Sequence, residues 1–268
     1  MSERTLTALF ATVALAGVNF LFATDCAHAE QVTECTADAF CYCVRSELRG
    51  AIQQRVGDIR ARIMAQKTKG KAIGYLSIPI STVGGSYFDE NVKIAGEIKE
   101  RVETRFGVKA AWLLNTASPE VSLPQGATGA EYMLMWTLVL EGSNGLGDLD
   151  FIYFAGPSEF ARHFGLDGHA DMEKLEDYYD SLAKTDEGVK AVSKRAFRDY
   201  YALRASVAYS YGSHDEWNIV RAINQKRRAA DPKSGIATQM GIFFDGQPVA
   251  PGLFEAPIAA GDADACRK

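Results

Sequence analysis

The sequence lacks the short motifs that mark many nucleotide-binding, redox and hydrolytic sites. It contains no P-loop, no G-x-G-x-x-G, no C-x-x-C and no G-x-S-x-G. These absences remove the sequence signal for P-loop NTPases, dinucleotide-binding domains, thioredoxin-like proteins and α/β-hydrolases. There is also no internal repeat and no low-complexity tract, which argues against repeat architectures. Function therefore has to be inferred from less stereotyped patterns.

A basic stripe of the kind found in nucleic-acid-binding proteins is also missing. Lys and Arg number 29 against 34 Asp and Glu, for a net charge of −5. The run Lys226-Arg227-Arg228 closes a predicted helix, where cations suit the helix dipole. We therefore expect a small-molecule substrate and no nucleic acid as partner. The sequence is also compatible with a homo-oligomer.

An export signal is predicted over residues 1–29. Arg4 precedes an apolar run from about Leu6 to Ala23, and Ala27-His28-Ala29 has the small-x-small pattern that precedes cleavage. A membrane anchor is the alternative, but the run is short and is interrupted by Thr and Gly. We expect a periplasmic or secreted protein with no stable membrane insertion.

Cysteine is scarce, and the predicted mature chain keeps four of the five residues. An even number in an oxidising compartment predicts two disulfides. Cys41 and Cys43 are too close in sequence to pair comfortably, so we expect one to reach Cys35 and the other Cys266. A zinc site is the alternative, although the spacings match no zinc-finger pattern.

The stretch 72–106 carries the strongest structural pattern. Its apolar run AIGYLSIPI predicts a strand buried on both faces. A short buried helix is the competing interpretation, but Gly74 and Pro79 disfavour it. The apolar residues that follow at near-helical spacing predict a long amphipathic helix.

The loop between this strand and this helix is the first candidate binding element. Gly84 and Gly85 allow a ligand to approach the main chain. Asp89 is expected to cap the helix, and Gly107 to end it. A strand, loop and helix in this order bring free N–H groups to the carboxyl edge of a sheet, where ligands of open α/β sheets bind. A flexible connection without a ligand is the alternative.

The rest of the chain predicts an α/β fold. A helix over 45–66 precedes the stretch above. Further strands over 109–115, 150–155 and 241–249 alternate with helices over 129–141 and 213–229, which predicts three layers: a mostly parallel sheet with helices on both faces. Residues 158–206 are helix-rich and are interpreted as an insertion or cap. We expect residues 30–268 to form a single domain.

Two segments carry a family resemblance. GYLSIPISTVGGSYFDENVKIA is similar to the opening strand, Gly-containing loop and long helix of the nucleoside 2-deoxyribosyltransferase family. Gly212-Ser213-His214-Asp215-Glu216, with Ala222 beyond, is similar to the G-x-x-x-E-type setting of its catalytic glutamate at a helix start. The resemblance covers roughly residues 72–156 and 212–245, with 158–206 unmatched. It implies a flavodoxin-like fold.

The resemblance also implies an enzyme that cleaves or transfers N-glycosidic bonds. Glu216 would be the carboxylate nucleophile that stabilises or traps the positive charge on the sugar, kept ionised by a helix start. Asp89 or Glu131 would orient sugar hydroxyls, and Tyr75 or Tyr87 would stack on a base or bond to the nucleophile. The remaining predicted substrate contacts are Gly84, Gly85 and His214. No metal and no cofactor are expected.

Structural roles compete with these assignments. Ser213 and Glu216 fit a capping box, in which the glutamate serves only helix stability. His214 suits an exposed position, and neighbouring residues on a helix cannot form a dyad with each other. His163 and His169, with nearby aspartates, match no strong metal motif.

A non-enzymatic binding or assembly role also stays open, because one fold hosts many functions. The tyrosines of residues 158–206 would then form an interface, since aromatic side chains are enriched in such patches. These tyrosines are Tyr178, Tyr179, Tyr200 and Tyr201.

Overall fold

The fold is built around a sheet of five strands, with a separate two-stranded hairpin before it. A computed structural model describes residues 30–80, 83–203, 205, 211–234, 238–249 and 265–267, so the predicted signal peptide lies outside the described residues. The strands are β1 (Gln31–Cys35), β2 (Cys41–Arg45), β3 (Ala72–Ser77), β4 (Ala111–Asn115), β5 (Phe151–Phe154), β6 (Gly241–Phe244) and β7 (Gln247–Pro248).

The main sheet has the order β4-β3-β5-β6-β7. β3 pairs in parallel with β4 on one side and β5 on the other, and β5 pairs in parallel with β6. Only β7, at the edge of this sheet, is antiparallel. The predicted mostly parallel sheet is therefore confirmed.

Helices cover both faces of this sheet. The longer helices are α1 (Arg49–Lys67), α2 (Phe88–Phe106), α3 (Gly129–Glu141), α4 (Pro157–Phe164), α5 (Asp171–Leu182), α6 (Lys194–Leu203) and α7 (Tyr211–Ala230). One hydrophobic core joins the sheet to α1, α3 and α7, and a second joins it to α2, α4, α5 and α6. The three-layer prediction is confirmed by these two cores.

The alternation of side chains along β3 assigns its residues to the two cores. Ile73 and Tyr75 lie in the core of α1, α3 and α7, whereas Leu76 and Ile78 lie in the core of α2 and α4–α6. Because successive side chains of a strand point to opposite faces, Ser77 shares the face of Tyr75. Both are completely buried, as the continuous apolar run predicts for a central parallel strand.

Helix starts differ from two sequence predictions. α2 begins at Phe88 after the extended residue Tyr87, so the prediction that Asp89 caps it is wrong. α7 begins at Tyr211, which places Ser213 and Glu216 inside the helix. The predicted capping box at Ser213 is therefore wrong, and so is the placing of Glu216 at a helix start. The predicted end of α2 at Gly107 is confirmed, with φ at 94°.

The final predicted strand is two strands joined by a tight turn. Residues 241–249 divide into β6 and β7, which pair antiparallel. Asp245 and Gly246 between them have φ angles of 51° and 82°. Positive φ at both central residues is the requirement of the type I′ hairpin turn, for which Asp-Gly is a preferred sequence.

The N-terminal hairpin of β1 and β2 has no counterpart among the sequence predictions. It is held by two disulfides, Cys35–Cys41 and Cys43–Cys266. The Cys35–Cys41 disulfide closes the hairpin. The Cys43–Cys266 disulfide joins β2 to residues 265–267, across a sequence separation of 223 residues. The expectation that one of Cys41 and Cys43 pairs with Cys35 and the other with Cys266 is confirmed.

Candidate functional site

Glu216 is buried against the central strand of the sheet. It lies on α7 and is 6% exposed. The phenol of Tyr75, on β3, donates a hydrogen bond to its carboxyl group. The Ser77 hydroxyl faces the same carboxyl group, although it makes no hydrogen bond of good geometry. A glutamate of α7 and a tyrosine of β3 thus meet inside the protein, 141 residues apart in sequence.

The spacing of residues along α7 explains why an ionisable side chain points inward. Ser213, Glu216, Trp217 and Val220 are all buried and recur at intervals of three and four residues. Residues at this spacing share one face of a helix. Glu216 therefore occupies a position that an apolar residue would normally fill.

Burial changes the acid–base properties of Glu216. Its pKa is raised to about 7, mainly by loss of solvation and to a smaller extent by the charge of Asp215. Ser77 and Tyr75 act in the opposite direction and lower the pKa. A pKa near the working pH is the property expected of a group that both binds and releases a proton. The premise that a helix start keeps Glu216 ionised is not met.

A second tyrosine, from the N-terminal hairpin, faces the same region. The Tyr42 hydroxyl lies 2.7 Å from Oγ1 of Thr137, which itself donates to the Met133 carbonyl at 2.7 Å. Because a threonine hydroxyl has one proton, Tyr42 must be the donor to Thr137. Burial raises the pKa of Tyr42 to about 12 against the lowering effect of the Thr137 hydrogen bond. The charges of Asp215, Glu141 and Glu216 also act to raise this pKa. Sequence reasoning missed Tyr42, whose available signal is its place between two disulfide cysteines.

Glu216, Tyr75 and Ser77, here called the Glu216 cluster, lie next to the point where the strand order reverses. β3 connects to β4 on one side of the sheet and β5 connects to β6 on the other, so the connections from the adjacent strands β3 and β5 run in opposite directions. Open α/β sheets bind ligands at the carboxyl ends of strands beside such a point. Ser77 ends β3 there, and its carbonyl accepts from the Ala155 amide at 2.9 Å.

The glycine pair lies against a different layer. Gly85 is buried, and its α-carbon faces the backbone of Ala196 on α6 so closely that an added Cβ would overlap it. Gly84 is exposed. α6 belongs to the layer opposite α7, so Gly85 and Glu216 do not share a cleft. The backbone of α6 therefore covers the main chain at Gly85, at the position where a ligand was expected to approach.

Tyr87 and Asp89 also belong to that opposite layer. The Tyr87 hydroxyl donates to Asp186 at 2.7 Å and lies 3.2 Å from Asp89. Asp186 in turn accepts from the Gly188 amide at 2.9 Å and caps a short helical turn. These contacts join the start of α2 to the segment between α5 and α6. They do not reach Glu216.

Glu131 stabilises the start of α3. It forms a capping box with Thr128, whose amide donates to it at 2.7 Å, and it accepts from the Arg45 amide at 3.0 Å. Burial alone would raise its pKa, but hydrogen bonds from Thr128 and Arg45 hold it at about 2. Every one of these contacts serves the junction of β2 and α3.

His214 is exposed on α7. Its Nδ1 lies 3.5 Å from Nδ2 of Asn218, one helical turn along. Of the predicted site residues, the structure therefore brings together Glu216 and Tyr75, and it places the others apart from them. A shallow groove along the outer side of α2, lined by Glu97, Glu100, Arg101, Thr104 and Arg105, contains none of the predicted residues.

The four cysteines among the described residues form disulfides rather than a zinc site. Across the ranges described above, no group of three or more His, Cys, Asp or Glu side chains has the arrangement of a metal site. None of the helices in those ranges is both long enough and apolar enough to cross a bilayer.

Comparison with protein-family models, curated proteins and solved structures yields no match to this chain.

Proposed function

We propose that this chain is an exported enzyme that cleaves or transfers an N-glycosidic bond, with Glu216 as its reacting carboxylate. The observation that carries the proposal is the buried Glu216–Tyr75 pair at the carboxyl end of β3. A glutamate at an apolar position of α7 costs folding energy, and a functional role accounts for its presence. The two disulfides are of the kind that persists in oxidising compartments, which supports export.

In the proposed reaction the ionised Glu216 attacks the anomeric carbon of a nucleoside-like substrate. A bond forms between a carboxylate oxygen and that carbon while the bond to the base breaks, and the base leaves with the electron pair. Water or the N–H group of a second base then displaces the carboxylate, for hydrolysis or transfer respectively. The proton that this nucleophile loses balances the proton that the departed base takes up from solvent. Tyr75, which donates to Glu216, orients the carboxylate and has to release part of its bond as the new one forms.

The pH dependence of the reaction distinguishes the two roles open to Glu216. The nucleophile must be ionised, so kcat/KM is expected to rise with pH through about 7, the pKa of Glu216. A rate that falls through the same pH would instead make Glu216 the acid that protonates the leaving base, and would refute the nucleophilic mechanism.

The test is a screen of nucleosides for release of free base, with Glu216→Gln as the inactive variant. Glutamine keeps the shape and accepts from Tyr75, but it neither attacks nor ionises. We expect turnover to fall by at least about 10³-fold, as for loss of a catalytic nucleophile. Glu131→Gln serves as the matched control, because it changes a buried glutamate outside the cluster. Equal turnover by Glu216→Gln and the unaltered protein would refute the proposal.

The alternative assembly role loses its aromatic interface. Tyr179, Tyr200 and Tyr201 are buried in the core of α2 and α4–α6, where Tyr179 and Tyr201 pack on Phe197 and Tyr200 packs on Tyr201. Side chains committed to an internal core offer no contact area to a partner. The contacts of the described tyrosines therefore favour the enzymatic proposal over this form of the alternative.

A further inference from the structure

His163, on α4, lies between two glutamates of α2. Its Nδ1 is 3.0 and 3.1 Å from the two carboxylate oxygens of Glu97, and its Nε2 is 3.0 Å from Oε2 of Glu90. The imidazole side chain is 8% exposed. The ring therefore bridges two carboxylates at the interface of α4 and α2.

Only the protonated ring satisfies both contacts. A neutral imidazole has one N–H, so either tautomer directs a lone pair at one of the carboxylates. The imidazolium has two N–H groups and donates to both. The geometry thus selects the charged form, irrespective of which tautomer the neutral ring prefers.

Glu90 anchors this bridge from within the protein. It is completely buried and accepts from the Tyr178 hydroxyl of α5 at 2.7 Å and from Lys93 at 2.5 Å. Burial alone would raise its pKa, but the hydrogen bonds from His163, Lys93 and Tyr178 hold it at about 2. Glu90 therefore stays negative across the physiological range, and it joins three helices.

The other charged groups nearby are engaged with each other. Glu159, on α4, pairs with both Arg101 of α2 and Arg162 of α4. The ring of His163 otherwise meets the uncharged ring of Phe164 edge-on at 4.7 Å and the phenol of Tyr178 at 6.0 Å. The charges facing the imidazole are thus Glu90 with its Lys93 partner, and Glu97.

We propose that protonated His163 is a pH-sensitive clamp that holds α4 and α5 against α2. The clamp is independent of the Glu216 site, which lies on the other face of the sheet. Opening of the clamp is also expected to loosen the packing over the loop after β3, because α5 packs on α6 and α6 covers Gly85 in that loop.

The sign of the effect follows from the two glutamates. Burial lowers the pKa of His163, but Glu90 and Glu97 outweigh burial and raise it above its ordinary value of 6.5. A raised folded pKa gives stability that is fully present below about 6.5 and is lost as pH rises through the folded pKa. Between those two values, the equilibrium constant for opening the α4–α5 region should rise with pH, with a limiting slope of about tenfold per pH unit for one proton.

Native-state hydrogen exchange across pH 6 to 9, corrected for intrinsic exchange, measures that opening constant in α4 and α5. We expect it to rise with pH in the unaltered protein and to lose that rise in His163→Gln, which carries no titrating charge. His169→Gln is the matched control, because His169 is exposed in the loop between α4 and α5. The same pH dependence in His163→Gln as in the control would overturn the clamp.

A titration of the ring in the unaltered protein tests the proposal even if the variant fails to fold. Nitrogen chemical shifts report the protonation of both ring nitrogens. We expect His163 to lose its proton above pH 6.5, and at a lower pH in Glu97→Gln, which keeps the shape and removes one carboxylate. Loss of the proton at or below pH 6.5 in the unaltered protein would refute the clamp.

Discussion

Replacing Glu216 by Gln should make the protein more stable at alkaline pH while removing the proposed reacting group. Glu216 is buried and its pKa is raised to about 7. Above that pH the folded protein holds a carboxylate charge with little solvent, to which Tyr75 donates a hydrogen bond. Glutamine carries no charge, and its carbonyl accepts the same hydrogen bond.

The magnitude follows from the difference between the ordinary and folded pKa values. A rise from 4.5 to about 7 corresponds to about 3 kcal/mol. For a raised pKa, this contribution is present below the unfolded value of 4.5 and is lost as pH rises through about 7. The stability advantage of Glu216→Gln over the unaltered protein should therefore grow by about 3 kcal/mol between pH 4.5 and pH 8.

A second buried glutamate supplies a control of opposite sign. The pKa of Glu131 is held at about 2 by Thr128 and Arg45, in spite of burial. A depressed pKa gives stability that is present above the unfolded value and is lost as pH falls through the folded value. Glu131→Gln should thus destabilise the protein at pH 7, by about 1–3 kcal/mol for a charged group whose partners stay behind.

Urea unfolding at several pH values between 4.5 and 8 measures both effects as differences from the unaltered protein. The difference for Glu216→Gln should become steadily more stabilising with pH. The difference for Glu131→Gln should stay destabilising and nearly constant, because Glu131 is ionised in the folded protein over this whole range. Parallel stability curves for the unaltered protein and Glu216→Gln would show that Glu216 titrates alike in the folded and unfolded states. That result would refute the account of the buried glutamate.

Three further substitutions test other parts of the structure. Tyr75→Phe removes the hydrogen bond that favours the ionised glutamate, so the midpoint of the pH–rate profile should move to higher pH, whereas an unchanged midpoint would contradict the contact. Gly85→Ala places a methyl group against the Ala196 backbone, at a residue whose φ is 108°. Urea unfolding should show a loss of about 2–5 kcal/mol in stability, and a loss below about 1 kcal/mol would contradict the close packing. Replacing Cys43 and Cys266 together by Ser should cost about 2–5 kcal/mol by the same measurement, and a neutral result would show that this disulfide does not constrain the unfolded chain.

Local sequence patterns were sufficient to predict the layered sheet. The β3 run, α2 and the strands on either side of β3 each show their own periodicity, and parallel pairing follows from the alternation of strand and helix. The hairpin of β1 and β2 escaped prediction because its strands are short and half-buried. Its cysteines pointed to disulfides but not to strands.

The candidate site was less predictable because its contacts are long-range. The pairing of Glu216 with Tyr75 joins positions 141 residues apart, and local propensity carries no information about such a contact. The glycine pair shows the same limit from the other side. Its sequence is compatible with a ligand or with a protein neighbour, and only the tertiary packing of α6 decides for the neighbour.

The two glutamates in the capping pattern S/T-x-x-E show how upstream residues decide between a cap and a buried site. Thr128-x-x-Glu131 follows Pro124 and Gly126, which has a φ of 92°. Backbone of this kind does not continue into a helix, so α3 begins after Thr128 and Glu131 completes the capping box. Its charge is then fully partnered.

Ser213-x-x-Glu216 matches the same pattern, but α7 already begins at Tyr211. Ser213 therefore does not lie at the N-cap position, where its side chain would bind the free amides of the first turn. Glu216 points inward and accepts a hydrogen bond from Tyr75. The sequence interpretation assigned chemistry to both glutamates, but Glu131 serves a helix end, and Glu216 does not fill the competing capping role. A buried glutamate with a raised pKa and no capping role is the physical basis for assigning the proposed chemistry to Glu216.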